Sequence, residues 1–204
     1  DTRRRFMRNR NSVLGLVLTA IFVFVALAAP ILVDYDTQVI QQNIPDRLLQ
    51  PGENPEHPLG TDEIGRDVMA RLIYAAKMSL SIGAMAVVIA IGIGIFIGSV
   101  AGYFGGKVDM ILMRFMEVLD GVPSFLMALT ICAALGASVY TLMIAIAVGS
   151  IAAQSRMVRS AVLTVKNNEY VEAAKAMGAN DMQIIFYHII PNCVGTIIVQ
   201  FSVK

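Results

Sequence analysis

The stretch MSLSIGAMAVVIAIGIGIFIGSVAGYFGG, residues 78–106, holds 29 consecutive positions without Asp, Glu, Lys or Arg. Roughly 20 apolar residues cross a bilayer as a helix, the form that satisfies every backbone polar group within one segment. Three more such stretches occur: Asn11–Val33 (23 residues), Gly121–Ser155 (35) and Met182–Val203 (22). Composition agrees. Hydrophobic residues are 56% of the 204 and charged residues 15%, against about 25% charged in a soluble domain, and mean hydropathy is +0.67. The fold class is therefore all-α, a polytopic helical membrane protein. A secreted disulfide scaffold and a disordered tail are excluded, and a net charge of +1 offers no general attraction to nucleic acid. Cys132 and Cys193 lie in apolar stretches and read as small packing residues; two isolated thiols make neither a metal site nor a disulfide framework.

Outward from that stretch, span two reads as Met78–Phe104. Residues 1–12 form a basic N-terminal segment with Arg3, Arg4, Arg5, Arg8 and Arg10, and residues 13–33 form span one. A basic head before an apolar run also fits a secretory signal, with Ala26-Leu27-Ala28 resembling a cleavage site. Continuation through Pro30-Ile31-Leu32-Val33 exceeds an h-region of about 7–15 residues and favours an uncleaved span. The arginines place the N-terminus in the cytoplasm, so residues 34–77, with eight acids and four bases, form an outer loop. Lys107–Asp120 is a charged, amphipathic approach on the inner side. Span three is Val122–Leu135, Gly136-Ala137-Ser138 a turn, and span four Val139–Gln154. Arg156, Arg159, Lys166 and Lys175 follow, which makes 155–192 a cytoplasmic loop. Ile189–Val203 begins a fifth span, too short to cross, and the sequence stops at Lys204. Residues 78–204 thus read as a transmembrane core with one cytoplasmic loop.

Gly94, Gly98 and Gly102 recur every four residues in span two. Small residues at this spacing let helix backbones approach closely in lipid. The ladder either packs within this chain or meets a second transmembrane subunit. Catalytic patterns are missing: there is no HExxH and no CxxC. Ala101–Val108 comes nearest to a phosphate-binding loop, but such a loop needs Gly at Ala101 and Ser or Thr at Val108. If ATP drives this protein, the ATPase is another polypeptide. The spans as drawn carry no ionisable residue, which weakens an ion-coupled secondary transporter, the runner-up class.

The loop after span four has helical composition. Asn167-Asn168 can cap a helix from Glu169 to Met177, with Glu169 and Glu172 in its first turns, where the dipole favours acids. Gly178 is a natural stop. Asn180 with Gln183 forms a capping-box pattern that starts a second helix. Tyr170, Ala174 and Met177 are expected to share one face, and Pro191 to fit the first turn of span five. Two short helices then meet at a glycine elbow. It is either an amphipathic interfacial loop or a rigid knob that enters a groove on a cytosolic partner.

Glu172-Ala173-Ala174, with Gly178 four residues on and His188-x-Ile190-Pro191 downstream, resembles the EAA loop of binding-protein-dependent ABC importer permeases. His188 and Ile190 stand where that family has Ile and Leu. His57-Pro58-Leu59-Gly60-Thr61-Asp62-Glu63-Ile64-Gly65-Arg66-Asp67 is similar to the outer-loop signature of the dipeptide/oligopeptide/nickel branch. Met113-Arg114 with Glu117 and Pro123 is a third match, although the family commonly has Asp where Glu117 stands. The resemblance covers essentially the whole chain and is to the second, C-type, permease subunit.

The resemblance implies a type I importer permease fold of six spans, of which about four and a half are present. It implies a subunit of an ATP-driven importer of short peptides, with nickel or another small solute as the alternative. Glu169, Tyr170, Glu172, Ala173, Ala174, Ala176, Met177, Gly178 and Pro191 would couple to the ATPase. Gly60, Thr61, Asp62, Gly65, Arg66 and Asp67 would form the outer-loop signature; as residues alone they equally suit turns and a local charge cluster. Arg114 and Glu117 read as a helix-surface pair, His188 as a packing or capping residue, and Met110, Met113 and Met116 as packing. No catalytic residue, metal or cofactor is expected on this chain; ATP and Mg would sit on partner ATPase subunits. The implied partners are a second homologous permease subunit, two ATP-binding subunits, an extracytoplasmic solute-binding protein and the lipid bilayer, with no nucleic acid. The implied location is the cytoplasmic (inner) membrane, multi-pass.

Overall fold

A computed structural model describes residues 9–195. Arg3, Arg4, Arg5 and Arg8 and the end of the expected fifth span lie outside the described residues. The helices are α1 (Arg10–Leu32), α2 (Val68–Phe104), α3 (Gly106–Asp120), α4 (Ser124–Leu135), α5 (Val139–Val165), α6 (Glu169–Ala176) and α7 (Asp181–Gln183). The last continues through a π-helical turn, Ile184–Ile189. Extended pairing among the described residues amounts to two isolated bridges in the first loop. Helices α1, α2 and α5 are each long and apolar enough to cross a membrane, and the bent pair α3 and α4 adds a fourth if it counts as one span.

The chain divides into two compact units, Asp1–Ile82 and Gly83–Lys204. In the first, α1 is capped by Asn9, whose side chain accepts the Asn11 N–H, and the first loop folds onto the start of α2. That helix begins at Val68, ten residues before the expected Met78. Asp67 Oδ1 accepts the Ala70 N–H at 2.7 Å and supplies the cap. Arg71 bonds to Asp62, and the Lys77 ammonium lies 5.1 Å from the Tyr74 ring centroid, so both basic residues fit on helix surface. At about 1.5 Å per residue, the 37 residues of α2 span roughly 55 Å, well beyond a hydrocarbon core of about 30 Å.

In the second unit the glycine ladder lies against α5. A Cβ at Gly94 would stand 2.6 Å from Gln154 Cβ, one at Gly98 2.5 Å from the Ser155 carbonyl oxygen, and one at Gly102 2.9 Å from Val162 Cβ. The backbone of α5 thus occupies the space that three missing side chains leave. Beside this contact, Met116 of α3 is buried with Ala86, Ala90, Ala147, Ile151 and Ala152; Met113 packs at its edge, whereas Met110 is exposed.

Expected span three appears as α4, and its amphipathic approach, α3, meets it at 84°. Pro123 forces this, since its ring disfavours helical geometry at Val122 and it has no N–H to continue α3. The helix that carries span four does not stop at Gln154: α5 continues to Val165 through Arg156 and Arg159. Arg159 grips both oxygens of Asp109, and Arg156 Nη2 donates to Asp120 at 2.8 Å. Arginine is a good helix former, so the helix runs on, with Ser155, Val158, Ala161 and Val162 buried on its other side.

Gly98→Ala should destabilise the detergent-solubilised protein by about 1–3 kcal/mol, the usual cost of overpacking a tight contact. Gly92→Ala, where a Cβ meets nothing within 4 Å, should be neutral or mildly stabilising. Thermal melts of the two variants check this; equal melting temperatures would refute the ladder contact.

Candidate functional site

The elbow starts at Asn168, the N-cap of α6. Its carbonyl accepts the Val171 N–H at 2.9 Å, although its side chain makes no capping bond. Glu169 and Glu172 stand in the first turn, near the positive end of the helix dipole. Gly178 takes φ +84°, a left-handed conformation that side chains disfavour, and turns the chain. Asn180 and Gln183 then form the expected reciprocal capping box, with bonds of 2.8 and 3.0 Å.

The two alanines of the motif point opposite ways. Ala174 is buried with Val171 among Val158, Ala161, Val162, Ile184, Ile189 and Cys193, and Tyr170 packs against this cluster, half-buried. Glu172, Ala173, Ala176 and Gly178 are exposed, as is Met177 at 80%. Met177 therefore does not share the face of Tyr170 and Ala174. It follows the last turn of α6, where the chain is already leaving the helix. What α6 presents to solvent is a short strip of small side chains, two carboxylates and the Lys175 ammonium, with the Met177 thioether at its end.

Pro191 also departs from expectation. It lies within a continuous helical run rather than in a first turn. A proline inside a helix removes one N–H and crowds the carbonyl four residues back. The π turn Ile184–Ile189 precedes it, with the Ile190 N–H bonded to the Ile185 carbonyl. Such a wide turn relieves the crowding. Asn192 Nδ2 donates to the His188 carbonyl at 2.6 Å.

Several connections to this elbow were not legible as site residues. The Tyr103 hydroxyl donates to Asp181 Oδ1 at 2.7 Å, Lys175 Nζ lies 5.2 Å from the Tyr103 ring centroid, and Lys166 Nζ donates to the Gly102 carbonyl at 3.0 Å. The one available signal was the place of Tyr103 at the end of a long apolar run, where amphipathic aromatics collect at membrane interfaces. Nearby, Arg114, Arg156 and Arg159 line an open cleft of about 750 Å³ between α3 and α5. Each is already paired, Arg114 with Glu117 as expected for a helix-surface pair.

In the first unit, residues 57–67 form a closed knot. Asp62 accepts the Ile64 and Arg66 N–H groups and Arg66 Nε at 3.0, 3.0 and 2.8 Å, and a guanidinium nitrogen of Arg71. Burial opposes its charge, but the hydrogen bonds from Arg66 and Ile64 outweigh that and hold the carboxyl down at about 2. Asp67 binds His57 Nδ1 at 2.7 Å with the oxygen not used for capping. Thr61 accepts the Leu49 N–H at 3.0 Å and donates to the Asp46 carbonyl. Gly60 and Gly65 have φ +75° and +78°, and Cβ atoms there would collide with the carbonyls of Leu49 and Asn43. The signature residues are thus engaged with one another and with their own loop.

Long apolar helices and a glycine-packed core make this a helical membrane protein. Residues 94–204 match the family model described as binding-protein-dependent transport system inner membrane component. Residues 1–51 match the N-terminal TM domain of oligopeptide transport permease C. The chain belongs to the binding-protein-dependent transport system inner membrane component family, which makes it an integral inner-membrane protein. It is 38% identical over 202 residues to the dipeptide transport system permease protein DppC of Bacillus subtilis (strain 168), covering 99% of this chain and 62% of that protein. It is 37% identical over 197 residues to the DppC of Alkalihalophilus pseudofirmus, covering 97% and 64%. For the DppC of Haemophilus influenzae the values are 34% over 201 residues, 97% and 68%. The chain thus spans somewhat under two thirds of the length of the first two of these relatives.

The Asp62 network gives a pH prediction. A carboxyl whose folded pKa lies below its unfolded value of about 3.9 contributes stability above that value, lost as pH falls through the folded pKa. Amide hydrogen-exchange protection at Ile64 and Arg66 should therefore persist below pH 4 and disappear only towards about pH 2. Asp62→Ala, which removes the acceptor, should lose protection already at neutral pH. A midpoint near pH 4 in the unsubstituted protein would contradict the network.

Proposed function

We propose that this chain is a transmembrane permease subunit of an ATP-driven importer that moves short peptides across the cytoplasmic membrane. It pairs with a second, homologous permease subunit to enclose the pathway. Two ATP-binding subunits dock at the cytoplasmic face, one of them on this chain's elbow, and a solute-binding protein delivers peptide from outside. The arginines before α1 support a cytoplasmic N-terminus. ATP and Mg belong to the ATPase subunits, and this chain acts as a translocation subunit rather than an enzyme. The relatives above are named for dipeptide transport, which favours peptide over nickel.

The observation that carries the proposal is the two-sided elbow. Its solvent face, with Glu169, Glu172, Ala173, Ala176, Met177 and Gly178, has the small, shallow relief that a groove on another protein accepts. Its inward face, with Tyr170, Val171 and Ala174, shares a core with α5. Force applied to the first face is carried to a spanning helix through the second. Nucleotide-driven closure of the ATPase pair would then shift the permease between outward- and inward-open states by binding one of them better.

Glu172→Lys reverses charge on the docking face, and Gly178→Pro forbids the positive φ of the turn. Either should cut peptide uptake by proteoliposomes of the complete transporter at least tenfold, or about 1.4 kcal/mol of coupling. The variants should still insert into membranes but lose co-purifying ATPase. Uptake at the unsubstituted rate would remove the elbow from the mechanism.

A further inference from the structure

The contacts around Tyr103 carry an assignment of their own. Tyr103 ends α2, a spanning helix, and holds the elbow at three points. Its ring packs against the cluster that roots Val171 and Ala174. Its hydroxyl donates to Asp181, the first residue of the helix after the Gly178 turn, at 2.7 Å. The Lys175 ammonium, from α6 before that turn, lies 5.2 Å from the centroid of the same ring, within range of a cation–π attraction. One side chain therefore bridges both arms of the elbow. Next to it, Lys166 Nζ donates to the Gly102 carbonyl, which ties the chain entering the elbow to the same turn of α2. Phe104 braces the ring edge-on, with centroids 5.1 Å apart.

Burial in the shared cluster couples the elbow chiefly to α5, with Ile95 and Tyr103 of α2 packed at its edge. The glycine ladder packs α2 on α5, so α2 feels the elbow through α5; Tyr103 adds direct bonds to both arms. Its bonds are directional: a hydroxyl–carboxylate bond is charge-assisted and stronger than a neutral one, and it lengthens if either arm swings relative to α2. We propose that Tyr103, through Asp181 and Lys175, is a strut that joins α2 directly to both arms of the elbow, so that α2 responds to the ATPase in step with the elbow and not only through its packing on α5. Tyr103 is a positioning residue in this role. The inference rests on the reading that the elbow receives the ATPase.

The test uses the complete transporter in proteoliposomes, with Met177→Cys as a cross-linking reporter to the ATPase subunit. Tyr103→Phe keeps the ring and its packing but removes the hydroxyl, and Asp181→Ala removes the acceptor. Each is expected to leave the cross-link and ATP hydrolysis in place while lowering peptide taken up per ATP hydrolysed by about 2- to 10-fold, the range for loss of one hydrogen bond. The double variant should be no worse than the more severe single one, because both delete the same bond. Uptake per ATP at the unsubstituted ratio, with the cross-link intact, overturns the strut alone. Uptake and hydrolysis falling together, with their ratio unchanged, also overturns it, since that is the mark of an assembly defect. Absence of the cross-link with Tyr103 and Asp181 unsubstituted overturns the docking reading itself, and the strut with it.

Discussion

Eight side chains with almost no exposed surface join α5 to the elbow: Val158, Ala161 and Val162 from one, Val171, Ala174, Ile184, Ile189 and Cys193 from the other. Each fully buried Val or Ile among them contributes on the order of 1.5–3 kcal/mol where the alternative is water. An eight-residue helix such as α6 is too short to persist by itself. Its order comes from this cluster, and so does the orientation that leaves Glu172, Ala173 and Ala176 facing outward. Without the cluster the motif residues would be present in sequence but would present no surface.

The cluster in turn depends on α5 extending well past its apolar part. That extension carries Arg156 and Arg159, whose charges end the apolar run without ending the helix. Asp109 and Asp120 on α3 accept them, and the glycine ladder brings α2 against the same helix. Helix α5 is thus held by charge pairs to α3, by close backbone contact to α2 and by apolar burial to the elbow. A single-chain core of this kind places the three glycines where α5 already fills the space, which favours packing within the chain over a role for the ladder between subunits.

Much of this was legible in the sequence because the signals are local. Uncharged runs marked the spans, Gly178 marked the turn, and Asn180 with Gln183 marked the second arm; each acts over a few residues. What escaped depends on partners distant in the chain. The α5 extension is held by Asp109, 50 positions before Arg159. The early start of α2 needed Asp67 to be recognised as a cap inside a charged run. Whether Ala173 or Ala174 faces inward is decided by docking on α5, and Pro191 was misplaced because periodicity gives no warning of a π turn. Of the site, the motif positions could be read from sequence, but Tyr103 could not, since Asp181 lies 78 positions away.

The central claim is mechanical: the elbow and α5 move as one body. Spin labels at Met177 and Leu163, both exposed, report it directly by pulsed dipolar spectroscopy on the assembled transporter. The account predicts the same inter-label distance without nucleotide and with ATP bound, even as the permease changes state. A distance that shifts with nucleotide would mean that the elbow slides on α5, and the shared core could not then be the route by which force reaches the membrane.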